Sequence, residues 1–502
     1  VAESNPSVLL RNVRISGSSD AIVDVAVENG VIASITAAAA STSEPTSSVE
    51  LAYPSIDLHG RWLTPGLWDN HVHFSQLTLG SRRMDISAAG SAKEAAAMVG
   101  SVMGAVAPDT QTPFIAVGFR DGLWPDVPNL GDLDRAVGDR AVVLVSADLH
   151  AVWLSSAALA LYGLSGHPTG LFREDPAFEI TRRIDEVPAE IVDGWARDAA
   201  TQAAARGVVG IVDYEMAWNL DTWTRRIASG ITSLRVEFGV YSEHLDRAIA
   251  LGLRTGSAIE GTDLLTVGHY KVLTDGSLNT RTAYCDEEYP GLAGHEHPNG
   301  LLTVPPTDLL PLMRRAADAG ITPAVHAIGD GANALALDAF EELGIGGRIE
   351  HAQLLRASDL VRFAQLGVIA SVQPEHALDD RDVADKYWAG RTSRAFPLRS
   401  LLDSGAQLAL GSDAPVAPLD PWITIAAAVG RTRGDREPWH PEQAITIDEA
   451  IAASSRTTIA VGQRADIVVT DSDPRTMSAS DLRRMSVAAT LLGGRFTHNT
   501  LG

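Results

Sequence analysis

The chain has 502 residues, a formal net charge of −23 and 45% hydrophobic residues. That charge argues against nucleic acid and anionic membrane as partners, and its single cysteine, Cys285, excludes an intrachain disulfide and a cysteine-based zinc site. There is no run of about 18 apolar residues to span a membrane, and the start lacks a basic region followed by an apolar core, so the expectation is a cytoplasmic protein.

Residues 8–36 are short β-branched runs broken by Gly, Ser and Asn-Gly, the pattern of strands and hairpins. Residues 37–50 read as a solvated loop, and 462–474 and 487–499 repeat the short-strand character of the start. Two strand-rich ends around a long middle predict one small β-sandwich domain built from 1–63 and 456–502, set against a second domain over 64–455.

The stretch 64–74, TPGLWDNHVHF, reads as a Thr-Pro-Gly turn feeding a short buried strand that ends in His71 and His73. Side chains at i and i+2 leave a strand on the same side. Both imidazoles can therefore reach one metal ion, and Asp69 stands where it could orient one of them. Taken alone, His-x-His reads equally well as two ordinary polar residues.

Further strands are predicted over 207–213, 233–240, 264–273, 321–327, 348–353, 367–373 and 406–412, most of them separated by alanine-rich helical stretches such as 190–206, 308–319 and 331–343. With the strand at 64–73 this makes eight strand-to-helix steps, the pattern of a (β/α)8 TIM barrel in the α/β class. Residues 75–190 exceed one such step, contain strand candidates at 113–119 and 141–147, and are expected to form a large insertion after the first strand.

Catalytic groups of such barrels sit at the carboxyl ends of the strands. Lys271 lies near the end of the fourth, His326 and His351 end the fifth and sixth, and Asp413 follows the eighth. A lysine ammonium has no lone pair for a metal, whereas carboxylation would give an anionic oxygen ligand. The plain alternative is an ion pair with Asp275. A lone strand histidine is more often a core residue, and Asp413 could simply cap the next helix.

Together, His71, His73, Lys271, His326, His351 and Asp413 on strands one, four, five, six and eight resemble the ligand order of the amidohydrolase superfamily. The segments LLRNVRISG, SADLHAVWLSSAAL, KVLTDGSLNTRTAY, VHAIGDGAN, IEHAQ, SVQPEH, LALGSDAPV and VGQRADIVV extend the resemblance over nearly the whole chain, to the branch that includes N-substituted formamide deformylases. The resemblance implies one or two divalent ions, Zn²⁺ first, at the barrel mouth. His71, His73 and Asp413 would serve one site, His326 and His351 the other, with a carboxylated Lys271 between them. It also implies hydrolysis of an amide C–N bond, with Asp413 as general base and then acid and His351 beside the oxyanion. A lactone, ester or phosphoester hydrolase and a non-catalytic interaction module are the alternatives.

The partner is expected to be a small-molecule substrate, and homo-oligomerisation stays open. Substrate-binding candidates are His150 and Trp153 in the insertion, Asp275, Ser277 and Arg281 after the fourth strand, and His376 after the seventh. His295 and His297 lie in a Gly/Pro loop that reads as a lid or pocket wall, and His269 shares a strand face with Lys271. Between the helix at 446–455 and GQRAD the chain has only RTTIAV, a shorter connection than relatives have.

Overall fold

Eight short, largely buried strands pair in parallel in chain order: Leu67–Val72, Val208–Asp213, Arg235–Tyr241, Leu265–Leu273, Pro323–Ala327, Gly347–His351, Val368–Val372 and Leu408–Leu410. Parallel strands are covered on both faces and need no polar alternation, and Val208–Asp213 is buried at every position. The helices Ala189–Ala205, Pro306–Asp318 and Asp330–Leu343 lay their apolar sides against this sheet. These elements belong to a computed structural model that describes residues 7–18, 20–38, 54–104 and 112–501.

The sheet closes into a (β/α)8 barrel between its first and eighth strands. The Asp413 amide donates to the His71 carbonyl, and the His73 amide to that of Ala414, each at 2.8 Å. Asp69 Oδ1 reinforces the seam by accepting from the Ser412 amide at 2.9 Å and the His71 amide at 3.2 Å. Asp69 thus acts on backbone and not, as the sequence suggested, on an imidazole. Gly411 permits this approach, since a Cβ there would lie 2.7 Å from the His71 nitrogen.

Both chain ends contribute to a second sheet. Its strands are Val8–Ile15, Val23–Glu28, Val31–Ala37, Ser55–Asp57, Trp62–Pro65, Ile467–Thr470, Val487–Leu492 and Arg495–Asn499. Val8–Ile15 joins its two halves, pairing with Val23–Glu28 along one part and Trp62–Pro65 along the other. Leu10, Val25, Ile32, Leu63, Ile467 and Leu491 meet in one core between the halves. Asn29 and Gly30 both have positive φ, as the tight hairpin between Val23–Glu28 and Val31–Ala37 requires. Thr64 and Pro65, read as part of a turn, instead end a strand of this sheet; the chain crosses to the barrel at Gly66. The predicted loop over 37–50 falls mostly outside the described residues, and Ala37 itself ends a strand.

Between the first two barrel strands lies the insertion. Its sheet runs Leu171–Arg173, Ala151–Leu154, Val142–Ser146, Phe114–Phe119, Met84–Asp85. Alternation along its strands builds two cores of its own: Val142, Leu144, Ala151 and Trp153 point to one, and Val143, Val145, Val152 and Leu154 to the other. Among the described residues no helix is long and apolar enough to cross a membrane.

Candidate metal centre

The strand ends deliver His71, His73, Lys271, His326, His351 and Asp413 to the wall of one cavity of about 660 Å³ at the barrel mouth. Among the described residues, His71, His351 and Asp413 form a buried group whose ligand atoms lie within 4.8 Å of one another. His71 Nε2 and His73 Nε2 stand 3.5 and 3.4 Å from Asp413 Oδ1, and Lys271 Nζ is 3.3 Å from His71 Nε2. The His326 and His351 rings are 4.4 Å apart between centroids, and those of His71 and His351 5.0 Å. Both His351 (φ 78°) and Asp413 (φ 58°) leave their strands in the left-handed region that non-glycine residues avoid, the kind of local strain that clusters at functional sites.

Electrostatics favour metal-ready side chains. Burial, with the Lys271 charge, lowers the His71 imidazole to about 4. Burial also holds His326 and His351 well below the ordinary imidazole value. Each of these shifts favours the neutral imidazole, the form with a lone pair to offer. Burial works against ionisation of Asp413, yet the imidazoles of His71, His73 and His351 hold it well below the usual carboxylate range. Buried His73 Nδ1, His326 Nε2 and His351 Nδ1 lack a hydrogen-bond partner, and of these His326 Nε2 lies 3.4 Å from Asp275 Oδ1.

Glu350 is the residue that sequence reasoning missed. Its Oε2 lies 2.7 Å from His71 Nδ1, and its Oε1 accepts from Arg348 Nε at 2.8 Å and Tyr214 Oη at 3.2 Å. Burial opposes its charge, but Arg348 and His71 hold it well below the usual range. A carboxylate on Nδ1 fixes the His71 proton there and turns the Nε2 lone pair toward the cavity. The available signal was a second charged residue, two after Arg348 and directly before His351, inside one short strand.

Of the substrate candidates, His150, Ser277 and His376 line the cavity, and Trp153, Asp275 and Arg281 do not. Trp153 points into an insertion core with Ala116, Phe119 and Leu144. Burial raises the Asp275 carboxyl to about 7, against the backbone amides of Gly329, Tyr284 and Ile328 that donate to it, so it braces the turn after the fifth strand. The Arg281 guanidinium lies over the Tyr387 ring. His295 and His297 are exposed and off the cavity wall, which corrects their reading as pocket wall. His376 Nδ1 is 3.3 Å from Gln353 Nε2, and its Nε2 is 3.8 Å from Asp413 Oδ2. His150 Nδ1 lies 2.6 Å from Glu174 Oε2. Burial alone would lower this imidazole, but Glu174 and Asp148 raise it to about 9.

A closed parallel barrel with histidine, lysine and carboxylate side chains converging on its mouth defines the class of metal-dependent barrel hydrolases. The chain belongs to the amidohydrolase family, which matches it over residues 55–498. It is similar to Protein LONG AFTER FAR-RED 3 of Arabidopsis thaliana, 28% identical over 493 residues that cover 88% of this chain and 83% of that protein. It is also similar to the N-substituted formamide deformylase of Arthrobacter pascens, 25% identical over 423 residues, 75% of this chain and 76% of that enzyme. The crystal structure of an uncharacterized metal-dependent hydrolase from Pyrococcus horikoshii superposes with a TM-score of 0.76 at 25% identity, covering 94% of this chain and 99% of the other.

Proposed function

We propose that this hydrolase cleaves the C–N bond of an amide, such as an N-formyl or N-acyl amine, at divalent ions held by His71, His73, Lys271, His326, His351 and Asp413. The observation that carries the reading is the spacing of His71 Nε2 and His73 Nε2 from Asp413 Oδ1, 3.5 and 3.4 Å. Two ligands at about 2.1 Å from one tetrahedral ion lie about 3.4 Å apart, longer than a good hydrogen bond. Imidazole and carboxylate donors suit Zn²⁺. The similarity to the formamide deformylase of Arthrobacter pascens supports a C–N bond as the target.

A bound divalent ion supplies a Lewis acid and lowers the pKa of water from 15.7 to about 7. The chain does the rest. Glu350 holds His71 in the tautomer that presents Nε2. Asp413, kept ionised by its neighbours, takes the proton of the attacking water and returns it to the leaving nitrogen. His351 supports the charge developing on the carbonyl oxygen. Burial lowers the Lys271 amine to about 8, which favours the free base that would add carbon dioxide and release a proton; as a carbamate it would offer an oxygen donor between the two sites.

The test is a rate comparison of metal-reconstituted protein across formamides, N-acyl amines, esters and phosphotriesters. Formamide or amide turnover that disappears in His71→Ala/His73→Ala, together with bound metal, is the expected result. Turnover confined to esters or phosphotriesters overturns the C–N assignment. Metal-replete protein inert toward every class favours an interaction module. Lys271→Ala should lose metal and recover part of it with a short carboxylic acid; full metal content in that variant removes the carbamate.

A further inference from the structure

We propose that Glu174 is a positioning residue that holds His150 of the insertion in the active-site cavity and ties it to the loop after the fourth barrel strand. The proposal rests on the hydrolase reading for what His150 meets there, but its geometry stands on the chain alone.

Glu174 is 5% exposed, and both of its oxygens are used. Oε2 lies 2.6 Å from His150 Nδ1. Oε1 accepts from Thr280 Oγ1 at 2.9 Å and Thr282 Oγ1 at 2.5 Å. The two threonines lie on the loop that follows the Lys271 strand, and His150 and Glu174 belong to the insertion, so a single carboxylate joins the two. The backbone is fitted to this contact. The Glu174 amide donates to the His150 carbonyl at 2.9 Å, and Glu174 itself takes φ 54°, a left-handed conformation that a side chain of its kind adopts at a cost. Gly276 leaves the room: a Cβ there would come 2.1 Å from Thr282 Oγ1 and 2.8 Å from Glu174 Oε1.

Two further contacts align the same parts. Ser277 Oγ donates to Asp148 Oδ2 at 2.8 Å, and Asn279 Oδ1 accepts from the Gly122 amide at 3.0 Å. His150, thus braced, lines the cavity with its ring 6.1 Å from that of His326. With Nδ1 committed to Glu174, only Nε2 is left to face a substrate.

A double-mutant cycle tests this. Glu174→Ala and His150→Ala should each lower kcat/KM by about tenfold or more, and the double variant should be no worse than His150→Ala. Glu174→Gln, which keeps an oxygen acceptor for Nδ1–H, should recover most of the loss. Multiplying losses in the double variant, or a Glu174→Gln as poor as Glu174→Ala, overturns the proposal. A second arm needs neither turnover nor metal. In protein labelled with ¹⁵N at histidine, the hydrogen-bonded Nδ1–H signal assigned to His150 by its absence in His150→Ala should vanish in Glu174→Ala and persist in Glu174→Gln. Persistence of that signal in Glu174→Ala overturns the proposal even if no C–N substrate is found, whereas loss of the signal without amide turnover counts against the hydrolytic reading alone.

Discussion

His71 shows how much of the centre depends on a residue that is not itself a candidate ligand. Its Nδ1 faces Glu350, and Glu350 in turn faces Arg348 and Tyr214 inside the barrel. Replacing such a partner costs about 10–100-fold in metal affinity in comparable sites. Glu350→Gln should therefore weaken metal binding by that order while the fold persists, as read by competition with a chelator; unchanged affinity would assign Glu350 to barrel packing alone. The six strand-end residues were legible because histidine, lysine and aspartate interrupt apolar runs at a fixed place, the carboxyl end. Glu350 stands one position earlier, two residues after Arg348, facing inward toward His71 on a strand distant in sequence. Trp153, Asp275 and Arg281 were misread for the opposite reason: a motif marks a neighbourhood, but only packing decides which side of a strand or turn faces the cavity.

Among the elements, the barrel strands could be read within a few residues because burial on both faces keeps most of them rich in apolar residues between helical stretches. Ala151–Leu154, Leu171–Arg173 and Met84–Asp85 left no such record, being too short for a period to show. Helix contacts were also silent. Asp193 on Ala189–Ala205 bonds to Arg225 at 2.6 Å and Arg226 at 3.0 Å on Asn219–Ala228. Burial opposes its charge, but those hydrogen bonds lower its pKa below the ordinary value. A folded pKa below the unfolded one means stability that is present above the unfolded value of about 3.9 and lost as pH falls through the folded value. Asp193→Asn should therefore be less stable than the parent at neutral pH, and the gap should narrow below about pH 4. Urea denaturation at both pH values checks this, and a gap that stays constant would rule the ion pairing out as its source.

For the whole molecule, we keep the division into 1–63 with 456–502 and 64–455 as a proposal, with the strand Trp62–Pro65 running across its first boundary. The reason both ends are needed is visible along Ile467–Thr470: Ile467 and Val469 enter the core of the terminal sheet, while Val468 enters that of the barrel, joined by Leu482, Met485 and Val487. A chain ending at residue 455 should lose its cooperative transition and aggregate, as followed by circular dichroism and sedimentation; a soluble, metal-binding product would show that the barrel stands alone. The insertion carries its own two cores and returns the chain to the barrel within the same step, between Leu67–Val72 and Val208–Asp213. All six strand-end candidates lie outside it. In evolutionary terms much of one cavity wall lies on a single contiguous stretch of gene, with the candidate ligands encoded on either side of it. Exchange of that stretch for another would redecorate the wall and leave every candidate ligand in place, provided the newcomer also met the loop that carries Thr280 and Thr282.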